Sequence, residues 1–389
     1  MTPGARVQAA IEILDDILAG QAAERALTTW GRRSRFAGSK DRAAVRDHVF
    51  QALRCLRSHA VLGGSRTGRG LLIGAMRDDG LDPAELFTGV GHAPSPLETT
   101  ESQSPREFGS LAEANDLPDW LWPVFERSLG AQAVQAAQAL RSRAPVHLRV
   151  NRKKGDREAA ISRLASEGIE ATTHPASPTA LTVTSGARRV KNAESYTQGF
   201  VELQDAASQA VVDALPLQNG QRVLDYCAGG GGKALAMAAA ADLDLYAHDV
   251  EPRRMKDIPE RAARAGVTIS CLSTQELRSH APFDLVLCDA PCSGSGSWRR
   301  DPEGKWRLTP QALKELTTLQ ARILDDAAQL VAEGGVLAFA TCSMLDVENA
   351  HQSQAFLDRT PGWQALSTQS WHVHTGTDGL YVSVFRRGR

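Results

Sequence analysis

Two cysteines in the sequence occupy positions that suit covalent chemistry better than core packing. Cys292 lies in the motif Asp-Ala-Pro-Cys-Ser at residues 289–293, and Cys342 lies in the motif Thr-Cys-Ser at residues 341–343. Each motif follows a short apolar run of the kind that forms a buried parallel strand. Open α/β sheets bind their ligands at the carboxyl ends of the strands. We therefore expect both thiols, together with Asp289, at that edge of one sheet.

The remaining cysteine positions favour neither a metal site nor a disulfide framework. Cys55, Cys271 and Cys288 fit the usual role of cysteine as a small buried hydrophobe. The sequence has no Cys-x-x-Cys pair, and neither Cys292 nor Cys342 has a histidine at ligand spacing. Six cysteines without regular spacing are also not typical of a disulfide-stabilised secreted domain. The sequence thus predicts reduced thiols, no bound metal and a reducing compartment.

A glycine-rich turn at residues 227–233, Cys-Ala-Gly-Gly-Gly-Gly-Lys, marks a candidate cofactor site. Glycine permits positive φ and lets a ligand approach the backbone closely. A P-loop for ATP needs Ser or Thr after its Gly-Lys pair, where this sequence has Ala234. A dinucleotide fingerprint needs a third glycine three residues after the second, and residues 229–232 do not provide it. S-adenosyl-L-methionine, which has no pyrophosphate to cradle, fits this turn better.

The composition is that of an ordinary globular protein. The 389 residues, of which 42% are hydrophobic and 23% charged, suffice for two or three domains. A formal net charge of −1 argues against a uniformly basic nucleic-acid-binding surface but allows local basic patches. No apolar run approaches the length of a membrane span, and the start of the chain lacks the apolar core of a signal peptide. These features predict a cytoplasmic protein without a membrane partner.

Predicted strands alternate with predicted helices along residues 204–389, and these elements could position the chemical groups. Short apolar runs recur between amphipathic stretches, which is the pattern of an α/β protein with a doubly wound parallel sheet. We predict strands at 222–226, 243–248, 267–272, 283–288 and 335–340, and helices at 204–215, 233–241, 253–265 and 310–331.

Two further regions precede this domain. Residues 1–143 are predicted to be helical, with a loop near 88–108 that is rich in Gly, Pro, Ser and Thr. Residues 144–203 change to the pattern of a small α+β module. Basic side chains in both regions are candidates for contacts with nucleic-acid phosphates. They are Arg42, Arg46, Arg54, Arg57, Arg149, Arg152, Lys153, Lys154, Arg188, Arg189 and Lys191.

The two cysteine motifs resemble those of the RNA 5-methylcytosine methyltransferases of the Sun/Nop2 group, which includes bacterial RsmB-type enzymes. The resemblance covers residues 144–389 and, more loosely, the amino-terminal part. Further family-like segments lie at residues 204–205, 298–307, 348–349 and 378–381.

The resemblance implies an architecture and a substrate. Residues 204–389 would form a Rossmann-like class I methyltransferase domain, preceded by an RRM-like module at 144–203 and a NusB-like RNA-binding region at 1–143. The helical region favours 16S ribosomal RNA as the substrate. The alternatives are a tRNA cytosine-C5 methyltransferase, a catalytically silent RNA-binding ribosome-assembly factor and a DNA cytosine methyltransferase. The sequence leaves the oligomeric state open, and a monomer is assumed.

The resemblance also assigns catalytic roles. Carbon 5 of cytosine is a poor nucleophile, so its methylation needs a thiolate that first adds at carbon 6. Cys342 would be this nucleophile, and Cys292 would help to release the product. Asp289 would contact both base and cofactor, and Lys233 would orient the site or stabilise charge. A DNA-type enzyme would instead attack from the Pro-Cys thiol, Cys292.

The same resemblance implies the S-adenosylmethionine site. The family loop is Cys-Ala-Ala-Pro-Gly-Gly-Lys-Thr, so Gly229, Gly230 and Ala234 depart from it, and we expect the empty loop to be less preorganised. Ser273 and Thr274 stand where the family often has an aspartate near the adenine. Asp249 would accept hydrogen bonds from the ribose hydroxyls, with a helix N-cap as its alternative role. The implied cofactor-binding residues are Cys227, Ala228, Gly229, Gly230, Gly231, Gly232, Lys233, Asp249 and Asp289.

Overall fold

The computed structural model describes residues 1–388, which form two compact units. The first unit contains residues 1–143 and 298–308, and the second contains residues 144–297 together with the chain from 309 onward. Neither unit is therefore continuous in sequence. None of the helices in the described chain has the length and apolarity needed to cross a membrane.

Helices build the first unit. They are α1 Pro3–Leu18, α2 Ala23–Arg33, α3 Ser39–Arg54, α4 Leu56–Gly63, α5 Gly68–Asp78, α6 Leu111–Ala114, α7 Trp122–Leu129 and α8 Ala133–Leu140. The side chain of Thr2 caps α1, and Val7, Ile11 and Leu14 recur at helical spacing on its buried face. These side chains join one apolar core with residues of α2, α3 and α5. Residues 86–110 contain no helix or strand.

A four-stranded antiparallel sheet begins the second unit. Its elements are β1 Val146–Val150, α9 Arg157–Ser166, β2 Glu170–Thr173, β3 Ala180–Ser185, α10 Glu194–Thr197 and β4 Val201–Leu203. The strand order is β2-β3-β1-β4. Leu148, Leu164, Ile169 and Leu181 share a separate apolar core. The predicted small α+β module is confirmed.

Two basic side chains predicted to meet phosphates are buried instead. Arg149 is 4% exposed and Arg54 is 7% exposed. Arg149 donates hydrogen bonds to the side chain of Gln204 and to the carbonyl oxygen of Gly232, while Arg54 donates to the carbonyl oxygen of Arg299. The prediction of phosphate contacts is wrong for both, because partners distant in sequence take up their donors.

The larger sheet of the second unit has seven strands, in the order β10-β11-β9-β8-β5-β6-β7. The helices and strands that follow β4 along the chain are α11 Ala206–Asp213, β5 Arg222–Asp225, α12 Gly232–Ala240, β6 Asp244–His248, α13 Ile258–Ala265, β7 Ser270–Leu272, α14 Leu277–His280, β8 Phe283–Asp289, α15 Pro302–Arg307, α16 Pro310–Ala328, β9 Val331–Thr341, α17 Ala350–Arg359, β10 Trp363–Trp371 and β11 Leu380–Arg387. Of these, α15 belongs to the first unit. Strands β5 to β9 are parallel, as predicted. The sheet also has two strands that were not predicted, since β11 pairs antiparallel with both β9 and β10.

The central strand β8 is buried on both faces. Leu285 and Leu287 belong to one apolar cluster, and Val286 and Cys288 belong to another. This explains why the sequence of β8 is a continuous apolar run rather than an alternating one. Cys288 is buried, as predicted. The same prediction is wrong for Cys271, which is exposed because β7 is an edge strand.

The segment 298–308 completes the first unit. Nζ of Lys305 donates to the carbonyl oxygen of Arg54 at 2.8 Å, and Nε1 of Trp306 donates to that of Leu53 at 2.7 Å. These carbonyls lie in the last turn of α3, where a helix lacks its own backbone donors. Burial lowers the pKa of Lys305 to about 8. The segment therefore serves as a carboxyl-terminal cap for α3.

Candidate active site

The candidate active site lies at the carboxyl edge of the larger sheet, where β8 and β9 run side by side. Asp289, the last residue of β8, pairs in register with Ala340 of β9. The backbone N–H of Ala290 donates to the carbonyl oxygen of Ala340 at 2.9 Å. The turns after the two strands therefore start at the same level. They bring the sulfur atoms of Cys292 and Cys342 to 3.3 Å from each other.

The hydrogen bond between these thiols makes them unequal. It lowers the pKa of Cys342 and raises the pKa of Cys292 well above its usual value, which is the direction expected when Cys292 keeps its proton and Cys342 accepts. Burial and the charge of Asp289 oppose the lowering at Cys342, whereas the charge of Lys233 assists it. Burial adds to the rise at Cys292. Cys342 is thus the sulfur favoured as the thiolate, the nucleophilic form.

An ion pair between Lys233 and Asp289 stands beside the thiols. Nζ of Lys233 lies 2.6 Å from Oδ2 of Asp289, and the lysine side chain is 9% exposed. Burial alone would lower the pKa of Lys233, but the charge and hydrogen bond of Asp289 outweigh it and raise that pKa. Lys233 is therefore a buried cation at the start of α12, and its charge acts on Cys342.

A buried carboxylate, Glu348, ties the two cysteine turns together. It accepts hydrogen bonds from the backbone N–H of Ser293 at 2.7 Å and from the hydroxyls of Ser293 and Ser343. Nε2 of Gln320, in α16, donates to Glu348 at 3.2 Å and to the carbonyl oxygen of Pro291 at 3.0 Å. The position of each cysteine turn therefore depends on one carboxylate.

The neighbouring amide, Asn349, fixes the second turn further. Its Nδ2 donates to the carbonyl oxygen of Ser343 at 2.9 Å, and its Oδ1 accepts from the hydroxyl of Thr341. The sequence marks Glu348 and Asn349 as family-like without a role. Gln320 has no signal in the sequence, because one polar residue on an amphipathic helix reads as a surface position.

The glycine turn joins β5 to α12 in a conformation that requires glycine. Gly229 and Gly231 have φ of +51° and +77°. A Cβ on Gly231 would lie 2.7 Å from the side chain of Ile258. Asp249, which is 2% exposed, accepts the N–H of Gly229 at 2.9 Å and the N–H of Glu251 at 2.9 Å. Asp249 therefore supports both the glycine turn and its own turn.

The groups around this turn fit S-adenosylmethionine. Residues 229–232 carry no side chains, which leaves the backbone open to a ligand. Asp225 is buried near the backbone N–H of Ala234, yet among the described residues neither of its oxygens has a hydrogen bond of good geometry. Burial, together with the charge of Asp289, raises the pKa of Asp225 to about 7. A cationic group, such as the ammonium at the amino-acid end of a ligand, would complement this carboxyl.

Four further residues of the predicted cofactor site, Cys227, Ala228, Ser273 and Thr274, are constrained by their surroundings in the protein. Ala228 is buried, and burial with nearby carboxylates raises the pKa of the Cys227 thiol, which makes it a poor nucleophile. At the position expected near an adenine, the hydroxyl of Thr274 bonds Nε2 of His248 at 3.0 Å. The hydroxyl of Ser273 donates to the carboxylate of Glu276. Both hydroxyls are thus engaged within the protein.

Comparison with known proteins identifies two family matches. Residues 212–382 match the family described as 16S rRNA methyltransferase RsmB/F. Residues 117–190 match the ferredoxin-like domain of RsmF/B-like methyltransferases. The resemblance predicted from the cysteine motifs is therefore confirmed.

Individual relatives support the same grouping. Ribosomal RNA small subunit methyltransferase B of Citrobacter koseri is 35% identical over 250 residues, which cover 63% of this chain and 58% of the relative. The chain thus spans less than two thirds of that relative. The crystal structure of PH0851 covers 100% of this chain and 99% of its own, with a TM-score of 0.78 and 22% identity. The structure of a methyltransferase homolog protein from Pyrococcus horikoshii aligns with 71% of this chain and 97% of its own chain, with a TM-score of 0.62 and 22% identity. The predicted fold of an S-adenosylmethionine-dependent methyltransferase is confirmed.

Proposed function

We propose, from the premise that residues 212–382 are an RsmB/F-type methyltransferase domain, that this protein methylates carbon 5 of a cytosine in 16S ribosomal RNA. The observation that carries the proposal is the pair of thiols 3.3 Å apart, next to a buried lysine–aspartate ion pair. Methyl transfer to carbon 5 of a pyrimidine needs one thiol to add and a second group to assist its departure. Since ribosomal RNA is a cytoplasmic substrate in bacteria, the proposal places the protein in the cytoplasm.

Cys342 is the proposed nucleophile. Its pKa is lowered by the hydrogen bond with Cys292 and by the charge of Lys233, so both neighbours favour the thiolate form. Addition of this thiolate to carbon 6 of the cytosine gives carbon 5 the character of an enamine. The target base must leave its stack to reach the sulfur, as in other enzymes that modify bases.

Asp289 and Lys233 are proposed to assist the addition. The bond to carbon 6 places electron density on the ring, and a proton at N3 stabilises it. Asp289 is 33% exposed, and one of its oxygens lies 2.6 Å from the ammonium of Lys233. Lys233 can therefore supply a proton through Asp289 to N3, and the pair takes the proton back when the ring becomes aromatic again.

S-adenosylmethionine, when bound, would supply the sulfonium methyl group for carbon 5. Asp225 would bind its ammonium group, Asp249 its ribose hydroxyls, and the backbone of residues 229–232 its amino-acid end. Afterwards the bond between carbon 5 and its proton breaks, solvent water takes up the proton, and the electron pair left behind expels the sulfur of Cys342 from carbon 6 as a thiolate. Cys292 assists this step because its S–H can donate to the departing thiolate. Cys292 therefore acts at the end of the reaction and Cys342 at its beginning.

Single replacements of the two cysteines separate these roles. Cys342→Ala should abolish turnover and leave no covalent species, since carbon 6 then has no nucleophile. Cys292→Ala should accumulate a protein–RNA adduct with transcribed 16S rRNA that survives denaturing electrophoresis and disappears with nuclease. The double variant should form no adduct. Cys271→Ala, which changes an exposed cysteine on another strand, should behave like the unmodified protein.

Mass spectrometry of the trapped peptide decides between the alternatives. RNA attached at Cys342 supports the proposed mechanism, whereas attachment at Cys292 would show the DNA-type chemistry and refute it. An adduct with tRNA but none with 16S rRNA would make the protein a tRNA enzyme. Absence of both adduct and methylation with every RNA would make it a silent RNA-binding factor.

A further inference from the structure

Two arginines fill the space that side chains on the glycine turn would occupy. A Cβ on Gly229 would lie 3.1 Å from Nη2 of Arg254, and a Cβ on Gly230 would lie 3.3 Å from Nη1 of Arg261. Both distances are shorter than ordinary contacts, so an alanine or proline here would press on the guanidinium groups. The family loop has Ala and Pro where this turn has Gly229 and Gly230. Two basic side chains that follow β6 occupy the space left by these glycines.

Each arginine also fastens one glycine of the turn. Nη1 of Arg261 donates a hydrogen bond to the carbonyl oxygen of Gly230. Nη1 of Arg254 lies 3.0 Å from Oδ2 of Asp249, the oxygen that accepts the N–H of Gly229. Arg261 therefore holds the turn directly, and Arg254 holds it through Asp249.

The guanidinium of Arg261 is itself anchored on the small sheet. Its Nη2 lies 3.5 Å from Glu202 of β4, and its side chain is 22% exposed. Glu202 also pairs with Arg264 at 2.7 Å. At the other end of the turn, Arg149 and Gln204 donate to the carbonyl oxygen of Gly232 at 2.9 Å and 3.1 Å. Side chains from the small sheet and its flank therefore fix the turn.

We propose that Arg261 and Arg254 are positioning residues that preorganise the four-glycine turn for the cofactor. Glycine loses more backbone freedom on ordering than any other residue, so an unsupported run of four is costly to order when a ligand binds. External donors on rigid elements replace the stiffness that side chains in the turn would supply. This inference rests on the proposed use of S-adenosylmethionine, and its test separates the two.

Cofactor affinity is the first readout. Arg261→Met should raise the Kd for S-adenosylhomocysteine, measured by calorimetry, by roughly tenfold or more, since a hydrogen bond from a charged donor is lost. Arg254→Met should raise it less, because its bond to the turn is indirect. Arg264→Met is the matched control, since it also removes an arginine from Glu202 but makes no bond to the turn. Arg261→Lys should recover part of the affinity.

Further readouts distinguish positioning from general destabilisation. Hydrogen exchange at residues 228–233 should speed up in free Arg261→Met, while the KM for RNA and the kcat at saturating cofactor stay close to those of the unmodified protein. Gly230→Pro should weaken binding in the unmodified protein, because the ring meets Arg261, but should restore affinity in the Arg261→Met background.

Three outcomes overturn the inference. They are a Kd of Arg261→Met within twofold of that of Arg264→Met, unchanged hydrogen exchange at residues 228–233 in Arg261→Met, and an equal effect of Gly230→Pro in both backgrounds. If the unmodified protein does not bind S-adenosylhomocysteine at all, the proposed function itself fails.

Discussion

Replacing Glu348 with glutamine perturbs the carboxylate on which both cysteine turns depend. The side chain keeps its shape, but its charge is lost and one oxygen becomes a donor. Four hydrogen bonds end on this carboxylate, from the N–H and hydroxyl of Ser293, the hydroxyl of Ser343 and the amide of Gln320. The glutamine variant can keep two of them on its remaining oxygen, while the serine hydroxyls must turn to accept from the new N–H groups.

The magnitude follows from the change of acceptor. A hydrogen bond to a charged group contributes about 1.5–3 kcal/mol and one between neutral groups about 1 kcal/mol, so four weakened bonds together lose about 2–8 kcal/mol. A buried carboxylate also carries a desolvation cost that the amide avoids. The free energy of unfolding of the second unit should therefore fall by about 2 kcal/mol, which lowers its unfolding midpoint by about 4–8 °C.

Scanning calorimetry measures this midpoint, and Glu315→Gln is the control. Glu315 is exposed on α16 and accepts one bond, from Gln311 at 2.8 Å. A second measurement follows the yield of the covalent RNA adduct in the Cys292→Ala background, which should fall because the turn of Cys342 is no longer fixed. Equal midpoints for the Glu348 and Glu315 variants, with an unchanged adduct yield, would refute the reasoning.

Two further predictions concern a buried cation and the cofactor site. The pKa of Lys305 is about 8 in the folded protein, whereas its ordinary value is 10.5. Between these two pH values the unfolded chain binds more protons than the folded protein. The free energy of unfolding should therefore rise with pH, by up to about 3 kcal/mol. Thermal midpoints at pH 7 and 9.5 should show this rise in the unmodified protein and a smaller one in Lys305→Met; identical pH profiles would contradict it. Asp249→Ala removes the acceptor of the Gly229 N–H and should weaken S-adenosylhomocysteine binding by about tenfold or more in calorimetry. Unchanged affinity would exclude Asp249 from the cofactor site.

The sequence predicted those parts of the site that depend on local pattern. The apolar runs of β8 and β9 end in polar turns, and neighbouring parallel strands place such turns at one edge, so the meeting of Cys292 with Cys342 follows from the spacing. The strand Trp363–Trp371 is mostly exposed and carries no alternating pattern, so the sequence contains no sign of it. Arg149 read as a surface residue because its partners Gln204 and Gly232 lie 55 and 83 positions away.

The two-part composition of the first unit has a consequence for protein synthesis. Residues 1–143 leave the ribosome well before residues 298–308 exist, and translation at 5–20 residues per second puts about 8–30 s between them. During that interval the carbonyls of Leu53 and Arg54 have neither Lys305 nor Trp306 as a donor. The end of α3 in the nascent helical part therefore stays uncapped until residues 298–308, which lie within the methyltransferase sequence, have been synthesised. Its last folding step comes only after the turn carrying Cys292 has been made.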